Sequence, residues 1–250
     1  MSRYMTANVK RVALVTGGSR GIGAAIVRRL ASDGVHVAFT FANNGSAAET
    51  SLAKVREDGG SARAYAADAG DATAIQAVVD QVSSEFGRLD ILVANAGIMM
   101  SGPPEDVSVD AFDRLMAVNV RGVFFAATSA ARVMPEGGRI VAIGSCLAER
   151  SAGPGTTAYT LTKSALIGMT RGLAHDFAPR GITVNLVHPG PTDTDMNPAT
   201  GEHADRQRAK TALGRYGSAD EVASAVAYLA SPAASFITGA ALAVDGGFAA

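Results

Sequence analysis

Short apolar runs alternate along the chain with longer stretches in which apolar residues recur every three or four positions. The runs fall at residues 12–15, 35–39, 91–93, 139–143 and 183–187. Each is largely apolar at consecutive positions, so an extended chain there needs cover on both faces. Between the runs, Ile75, Val78, Val79, Val82 and Phe86 share one helical face, with Asp71 placed to cap its start. Leu166, Met169, Leu173 and Phe177 form a second stripe of the same period. The alternation predicts repeated strand–helix–strand units. The fold class is α/β: one doubly wound parallel sheet of about seven strands, with helices on both faces. No linker, repeat, low-complexity segment or charge run divides the chain, so residues 1–250 read as one domain. The least regular stretch, 189–211, mixes Pro, Asp, Thr, Asn and Gly before a polar run at 202–210. It is expected to be mobile, with a substrate loop over about 191–212.

Composition narrows the function classes. Lys plus Arg number 22 against 23 Asp plus Glu, a net charge of −1, without the clustered basic residues that a nucleic-acid partner requires. At 48% hydrophobic and 18% charged, the chain is not of a disordered composition. The one cysteine, Cys146, forms no intramolecular disulfide and is expected to be a buried, inert thiol. His36, His175, His188 and His203 lack metal-ligand spacing, and no metal is expected. Residues 1–11 are polar and contain no apolar stretch of the secretory kind, and nowhere do about 18 apolar residues run together. A cytoplasmic protein without a membrane partner is the expectation.

The first run leads into Thr16-Gly17-Gly18-Ser19-Arg20-Gly21-Ile22-Gly23 and then a helical Ala24-Ala25-Ile26-Val27. Glycines between a strand and a helix let the backbone approach a pyrophosphate, and the helix N-terminus offers free amides and partial positive charge. A plain tight turn would use the same residues. Position in the first strand–helix turn favours the phosphate reading. The spacing Thr-Gly-x-x-x-Gly-x-Gly resembles that of the short-chain dehydrogenase/reductases.

That resemblance runs from Val12 to Gly247 and implies a Rossmann-type NAD(P)-binding domain, in particular one like an NADP-preferring carbonyl reductase or 3-oxoacyl-carrier-protein reductase. At the end of the second strand, Phe41 stands where NAD-using members carry Asp, followed by Ala42 and Asn43 with no acid before Glu49. Arg20 stands where NADP-using members carry a basic residue. A 2′-phosphate is repelled by a carboxylate and paired by a guanidinium, so NADP(H) is the expected cofactor. The alternative for Arg20 is a solvated turn residue. Gly17, Ser19, Gly21, Ile22 and Gly23 are expected around the pyrophosphate. Asp68 and Ala69 resemble the positions beside the adenine, although Asp68 also reads as a turn residue. Asn95-Ala96-Gly97 resembles the family's Asn-Ala-Gly turn, with Ala94 in place of a preceding Asn. Pro189-Gly190-Pro191-Thr192 resembles the turn beside the nicotinamide, where Thr192 would bind the carboxamide and Thr194 the carboxamide or phosphates.

Tyr159 and Lys163 lie four apart, hence one helical turn apart on one face. Ser145 closes the 139–143 strand region at the carboxyl edge, where ligands of open α/β sheets bind. Asn119 sits among Met116-Ala117-Val118 and Val120, an apolar helical context where an amide must find partners. Structural satisfaction alone would account for Asn119. With the other three, it resembles the family's catalytic Asn. The implied chemistry is reversible carbonyl reduction: hydride passes from NADPH to a carbonyl carbon while Tyr159 gives its proton to the oxygen. Ser145 orients that oxygen, Lys163 lowers the Tyr159 pKa and holds ribose hydroxyls, and Asn119 anchors a relay water. Lys163 and Tyr159 thus belong to both the catalytic and the cofactor sets. Ile98, Met99, Met100 and residues 147–151 are expected to wall a small-molecule carbonyl or alcohol site. A homotetramer is implied by the resemblance, through the region around Ile237-Thr238-Gly239 and Val244-Asp245-Gly246-Gly247. The alternative function is a non-catalytic nucleotide-binding regulator on the same fold.

Overall fold

The computed structural model describes residues 10–151 and 153–250. Residues 1–9, which carry most of the expectation about the amino-terminal stretch, lie outside the described residues. Seven strands make one parallel sheet: β1 (Val12–Val15), β2 (His36–Phe41), β3 (Ala62–Ala66), β4 (Ile91–Ala94), β5 (Arg139–Ile143), β6 (Thr183–Pro189) and β7 (Ala241–Val244). Their order is β3-β2-β1-β4-β5-β6-β7. Among the described residues, eight α-helices connect them: α1 (Gly21–Ser32), α2 (Gly45–Glu57), α3 (Ala72–Phe86), α4 (Val109–Met116), α5 (Gly122–Val133), α6 (Thr157–Phe177), α7 (Gly201–Arg208) and α8 (Ala219–Leu229).

The period-two geometry of strands divides the core into two layers. Ala13 and Val15 of β1 face a cluster with Ile26 and Leu30 of α1, Leu52 and Val55 of α2 and Val222 and Val226 of α8. Val12 and Leu14 of the same strand face Ile75, Val79 and Val82 of α3, Ala126 and Ala130 of α5 and Leu173 of α6. Both faces are therefore apolar, and both are covered. Asp71 caps α3 as its position predicts, its carboxylate accepting from Ala74 N at 3.0 Å.

Because the chain winds outward in both directions from β1, the sheet reverses between β1 and β4. That reversal opens a crevice at the carboxyl ends of the strands. β1, β4, β5 and β6 all end there.

Two expectations change. Residues 189–211 are not irregular throughout, because α7 occupies Gly201–Arg208. Its sequence, GEHADRQR, buries only Ala204, so an apolar stripe was not there to be read. Asn119 does not lie in a regular α-helix but in a π turn, Ala117–Arg121, between α4 and α5. Such turns recur at functional sites because the extra residue turns a side chain out of the helical register. Among the described residues, no helix is long and apolar enough to cross a membrane.

Candidate active site

The glycine turn is held by threonine and asparagine side chains. Thr16 Oγ1 accepts from the backbone amides of Asn95 and Ala96, both at 3.0 Å. Asn95 Nδ2 donates back to the carbonyls of Thr16 and Gly17 at 3.0 Å. Thr40 Oγ1 accepts from Gly17 N at 3.1 Å. These bonds join the end of β1 to the ends of β2 and β4, so Asn95 acts as a lock on the turn. Gly17 and Gly21 take left-handed φ of 67° and 53°. Gly23 packs so closely that a Cβ would stand 2.1 Å from Gly17 O. Ile22 packs against the core beneath.

Beyond the turn, α1 starts with no side-chain cap and no acid in its first turn. By contrast, α2, α3 and α8 are capped by Asn44, Asp71 and Ser218. An uncapped amide ring behind a close-packed glycine turn is chemically suited to a pyrophosphate. Ser19 is half-buried and Arg20 exposed at the mouth. The Arg20 guanidinium lies 3.8 Å from the Asp195 carboxylate. Phe41 ends β2 partly packed on the core, with Ala42 and Asn43 exposed after it and no carboxylate at the tip.

Asp68 is engaged by protein groups: it accepts from Gly70 N at 2.8 Å and from Arg114 of α4 at 3.0 Å. Burial alone would push its carboxyl up, but these bonds and the Arg114 charge bring it below the ordinary value. The Ala69 carbonyl packs against Gly122, where a Cβ would approach to 2.0 Å.

The four residues expected to do chemistry come from the turn after β5, from α6 and from the π turn, and converge at the crevice. Asn119 is fully buried. Its Oδ1 accepts from Ile98 N and its Nδ2 donates to Ile98 O, both at 2.9 Å, with a further bond to Thr162 Oγ1 at 3.1 Å. Lys163 Nζ is buried, donates to Ile143 O at 2.9 Å, and lies 5.8 Å from the Tyr159 ring centre. A Cβ on Gly97 would stand 3.3 Å from that ammonium and 3.4 Å from Asn119 Oδ1, so a glycine there lets the turn after β4 pack against both. Ser145 Oγ accepts from Leu147 N at 3.1 Å and is hydrogen-bonded to the Tyr159 phenol.

The electrostatics correct one expectation. Lys163 does not acidify the phenol in the protein by itself. Burial pushes Tyr159 up to about 12, with only part of that offset by its hydrogen bond to Ser145. Burial lowers Lys163 from 10.5 to about 8. Desolvation of the charged form is the largest cause for both groups. The folded protein releases the lysine proton near pH 8 and the unfolded chain near 10.5. The cost of burying the ammonium is therefore present in full below about pH 8 and fades towards 10.5. Wild type is expected to gain thermal stability relative to Lys163→Met as pH rises across that interval. A Tm difference that stays constant with pH would contradict this.

At the end of β6, Pro189 is buried, and a Cβ on Gly190 would stand 2.5 Å from Asp245 Cα. The two threonines separate. Thr192 is buried and its hydroxyl donates to Gly190 O at 3.0 Å, whereas Thr194 lies against Gly21 at the turn. Thr194 is thus the one placed beside the glycine turn. Of the expected substrate walls, Met99 is exposed, and Arg150 donates to the carbonyls of Phe248 and Ala250 rather than facing the crevice. Cys146 is buried, its thiol pushed up to about 12 by burial, as suits an inert side chain. Thr16, Thr40, Thr162 and His188 also build the site. Thr16 lies inside the glycine motif and Thr162 between Tyr159 and Lys163, but neither position reveals its partners.

The seven-stranded parallel sheet and the glycine turn after β1 are those of a nucleotide-binding oxidoreductase family. The chain belongs to the short-chain dehydrogenase/reductase family. Residues 17–249 match the family model described as enoyl-(acyl carrier protein) reductase. The chain is 48% identical to the cyclic-di-GMP-binding biofilm dispersal mediator protein of Escherichia coli, covering 98% of this chain and 100% of that one. It is similar to a short-chain dehydrogenase/reductase from Serratia marcescens, with 53% identity, 98% and 100% coverage and a TM-score of 0.95. A short-chain dehydrogenase from Burkholderia cenocepacia, solved in complex with NADP, matches at 51% identity, 98% and 100% coverage and a TM-score of 0.94.

Proposed function

We propose that the protein is an NADP(H)-dependent reductase that interconverts a ketone or aldehyde and an alcohol. The observation that carries this reading is the convergence at one crevice of the buried Lys163 ammonium, the Tyr159 phenol and the Ser145 hydroxyl hydrogen-bonded to it. The uncapped start of α1 and the glycine turn would hold the pyrophosphate. Lys163, with one carbonyl partner for three donors, has protons to offer ribose hydroxyls. Bound there, the dinucleotide supplies the hydride. Tyr159, kept protonated at neutral pH by burial, donates its proton to the carbonyl oxygen as charge develops. Ser145 O–H donates to the same oxygen. Asn119, clamped to both backbone groups of Ile98, fixes the π turn near Lys163, where it would anchor a proton-relay water.

The absence of a carboxylate at the end of β2, with Arg20 at the mouth, supports NADP(H) over NAD(H). Arg20→Ala is expected to weaken NADPH by roughly 10- to 150-fold, the range of one charge-assisted bond, and NADH far less. Equal losses in a binding titration would refute that contact. A homotetramer belongs to the same proposal. It is supported by the exposed edge strand β7 and by Phe236, which is wholly exposed in the single chain. Light scattering at the mass of one chain would contradict it.

The relative named for cyclic-di-GMP binding supports a second reading, a nucleotide-binding regulator without turnover. A screen of NADPH oxidation across ketones, aldehydes, quinones, sugars and acyl thioesters, run beside a cyclic-di-GMP titration, separates the two. Oxidation that depends on a carbonyl supports the reductase. Tight cyclic-dinucleotide binding with no oxidation supports the regulator.

A further inference from the structure

His188 lies in the middle of the sheet edge but has no part in the chemistry above. It is 1% exposed, in β6, one residue before Pro189. Its Nδ1 accepts from the backbone amide of Ser145 at 3.0 Å. A Cβ on Gly144 would stand 2.4 Å from the same nitrogen, so a glycine before Ser145 is what lets the ring approach.

A backbone N–H can only donate, so Nδ1 is unprotonated and Nε2 carries the hydrogen. Among the described residues that buried Nε2 has no hydrogen-bond partner, and the nearest acid oxygen is Glu149 Oε1 at 3.7 Å. Glu149 follows the short turn that Ser145 opens, Cys146–Ala148.

We propose that His188 is a positioning residue for Ser145, held in the accepting tautomer by Glu149. The inference rests on the reductase reading for its consequence, not for its geometry. Among the hydrogen bonds that hold Ser145 are its amide to His188 Nδ1 and its Oγ from Leu147 N, beside its carbonyl from Ala148 N at 2.9 Å. The first sets the backbone, the second the hydroxyl. Protonation of His188 would place an N–H against the Ser145 N–H and break the first. The charged groups facing the ring are Glu149 after β5, Lys163 of α6 and Asp245 after β7. Burial and Lys163 keep it neutral, while Glu149 and Asp245 favour its proton. The pKa of the ring is therefore held below the ordinary histidine value, chiefly by burial.

The test is the pH profile of kcat, with KM for NADPH, in wild type, His188→Leu, His188→Asn and Glu149→Gln. His188→Leu leaves a buried amide without an acceptor and is expected to lower kcat about tenfold or more while KM for NADPH stays within about twofold. Asparagine presents a carbonyl oxygen in the place of Nδ1. His188→Asn is expected to recover most of that rate and to lose the acid fall-off seen in wild type. Glu149→Gln is expected to move the fall-off to lower pH. Unchanged kcat in His188→Leu, or an acid fall-off retained in His188→Asn, would overturn the proposal.

NMR of the ligand-free protein decides the geometry independently of turnover. The Ser145 amide is expected to shift as His188 titrates, and a stationary amide overturns the proposal. If no carbonyl is reduced but that amide moves, the reductase reading fails and the His188–Ser145 coupling stands.

Discussion

Replacing Tyr159 by phenylalanine is expected to lower NADPH-dependent carbonyl reduction by roughly 100- to 10 000-fold, the usual contribution of a positioned general acid. The ring lies 5.8 Å from Lys163 Nζ and would keep that packing in the variant. Only the proton donor is removed. NADPH affinity should therefore stay within about threefold of wild type, because the glycine turn and α1 are untouched. The phenol is held protonated up to about pH 12, so the wild-type rate in the reductive direction should not fall off near neutrality for lack of that proton. Retention of turnover in Tyr159→Phe would remove Tyr159 from the mechanism, and a matching loss of NADPH binding would recast it as a cofactor contact.

The second large effect is expected at Gly23. A methyl group there would stand 2.1 Å from Gly17 O and 2.6 Å from Asn95 Nδ2. The first neighbour is backbone and the second is the lock between β1 and β4, so neither can yield without opening the turn. Gly23→Ala is expected to destabilise the fold by about 1–3 kcal/mol, as overpacking does, and to weaken NADPH by roughly 10- to 100-fold. Gly168→Ala is the matched control. Nothing lies within 4 Å of its added Cβ, and it sits inside α6, where alanine is the better helix former by about 1 kcal/mol. Calorimetric Tm and an NADPH titration check both variants. Wild-type values for Gly23→Ala would mean that the turn is not the close-packed element seen here.

These effects follow from features that the sequence exposes to very different degrees. β1 and β5 were legible to the residue because every position in each is buried, so no polar face competes for the assignment. The α3 stripe and its Asp71 cap were legible for the converse reason, a clean 3.6-residue period with a capping acid at its start. α7 was not, since a helix polar on nearly all sides has no period to detect. The π turn at Ala117–Arg121 was hidden as well, because its residues suit an α-helix and only the backbone register sets them apart.

The residue types of the site were visible in Tyr159, Lys163, Ser145 and Asn119. Their electrostatics were not. Spacing on a helix places an ammonium near a phenol, but it says nothing about how much water each loses, and desolvation sets the direction of both shifts. The locking roles of Thr16 and Asn95, and the contact of His188 with Ser145, join residues 43 to 80 positions apart. Contacts over such separations follow from strand order rather than from any local pattern.

The most direct test of the central claim follows the hydride itself. The protein is given a carbonyl substrate and NADPH deuterated at the transferable position of the nicotinamide, and the alcohol is examined by mass spectrometry. One deuterium is expected on the carbinol carbon, transferred to a single face, with labelled alcohol reduced roughly 100-fold or more when Tyr159→Phe replaces wild type over the same time. Alcohol that forms without the label, or no alcohol from any carbonyl despite saturating NADPH, would contradict it.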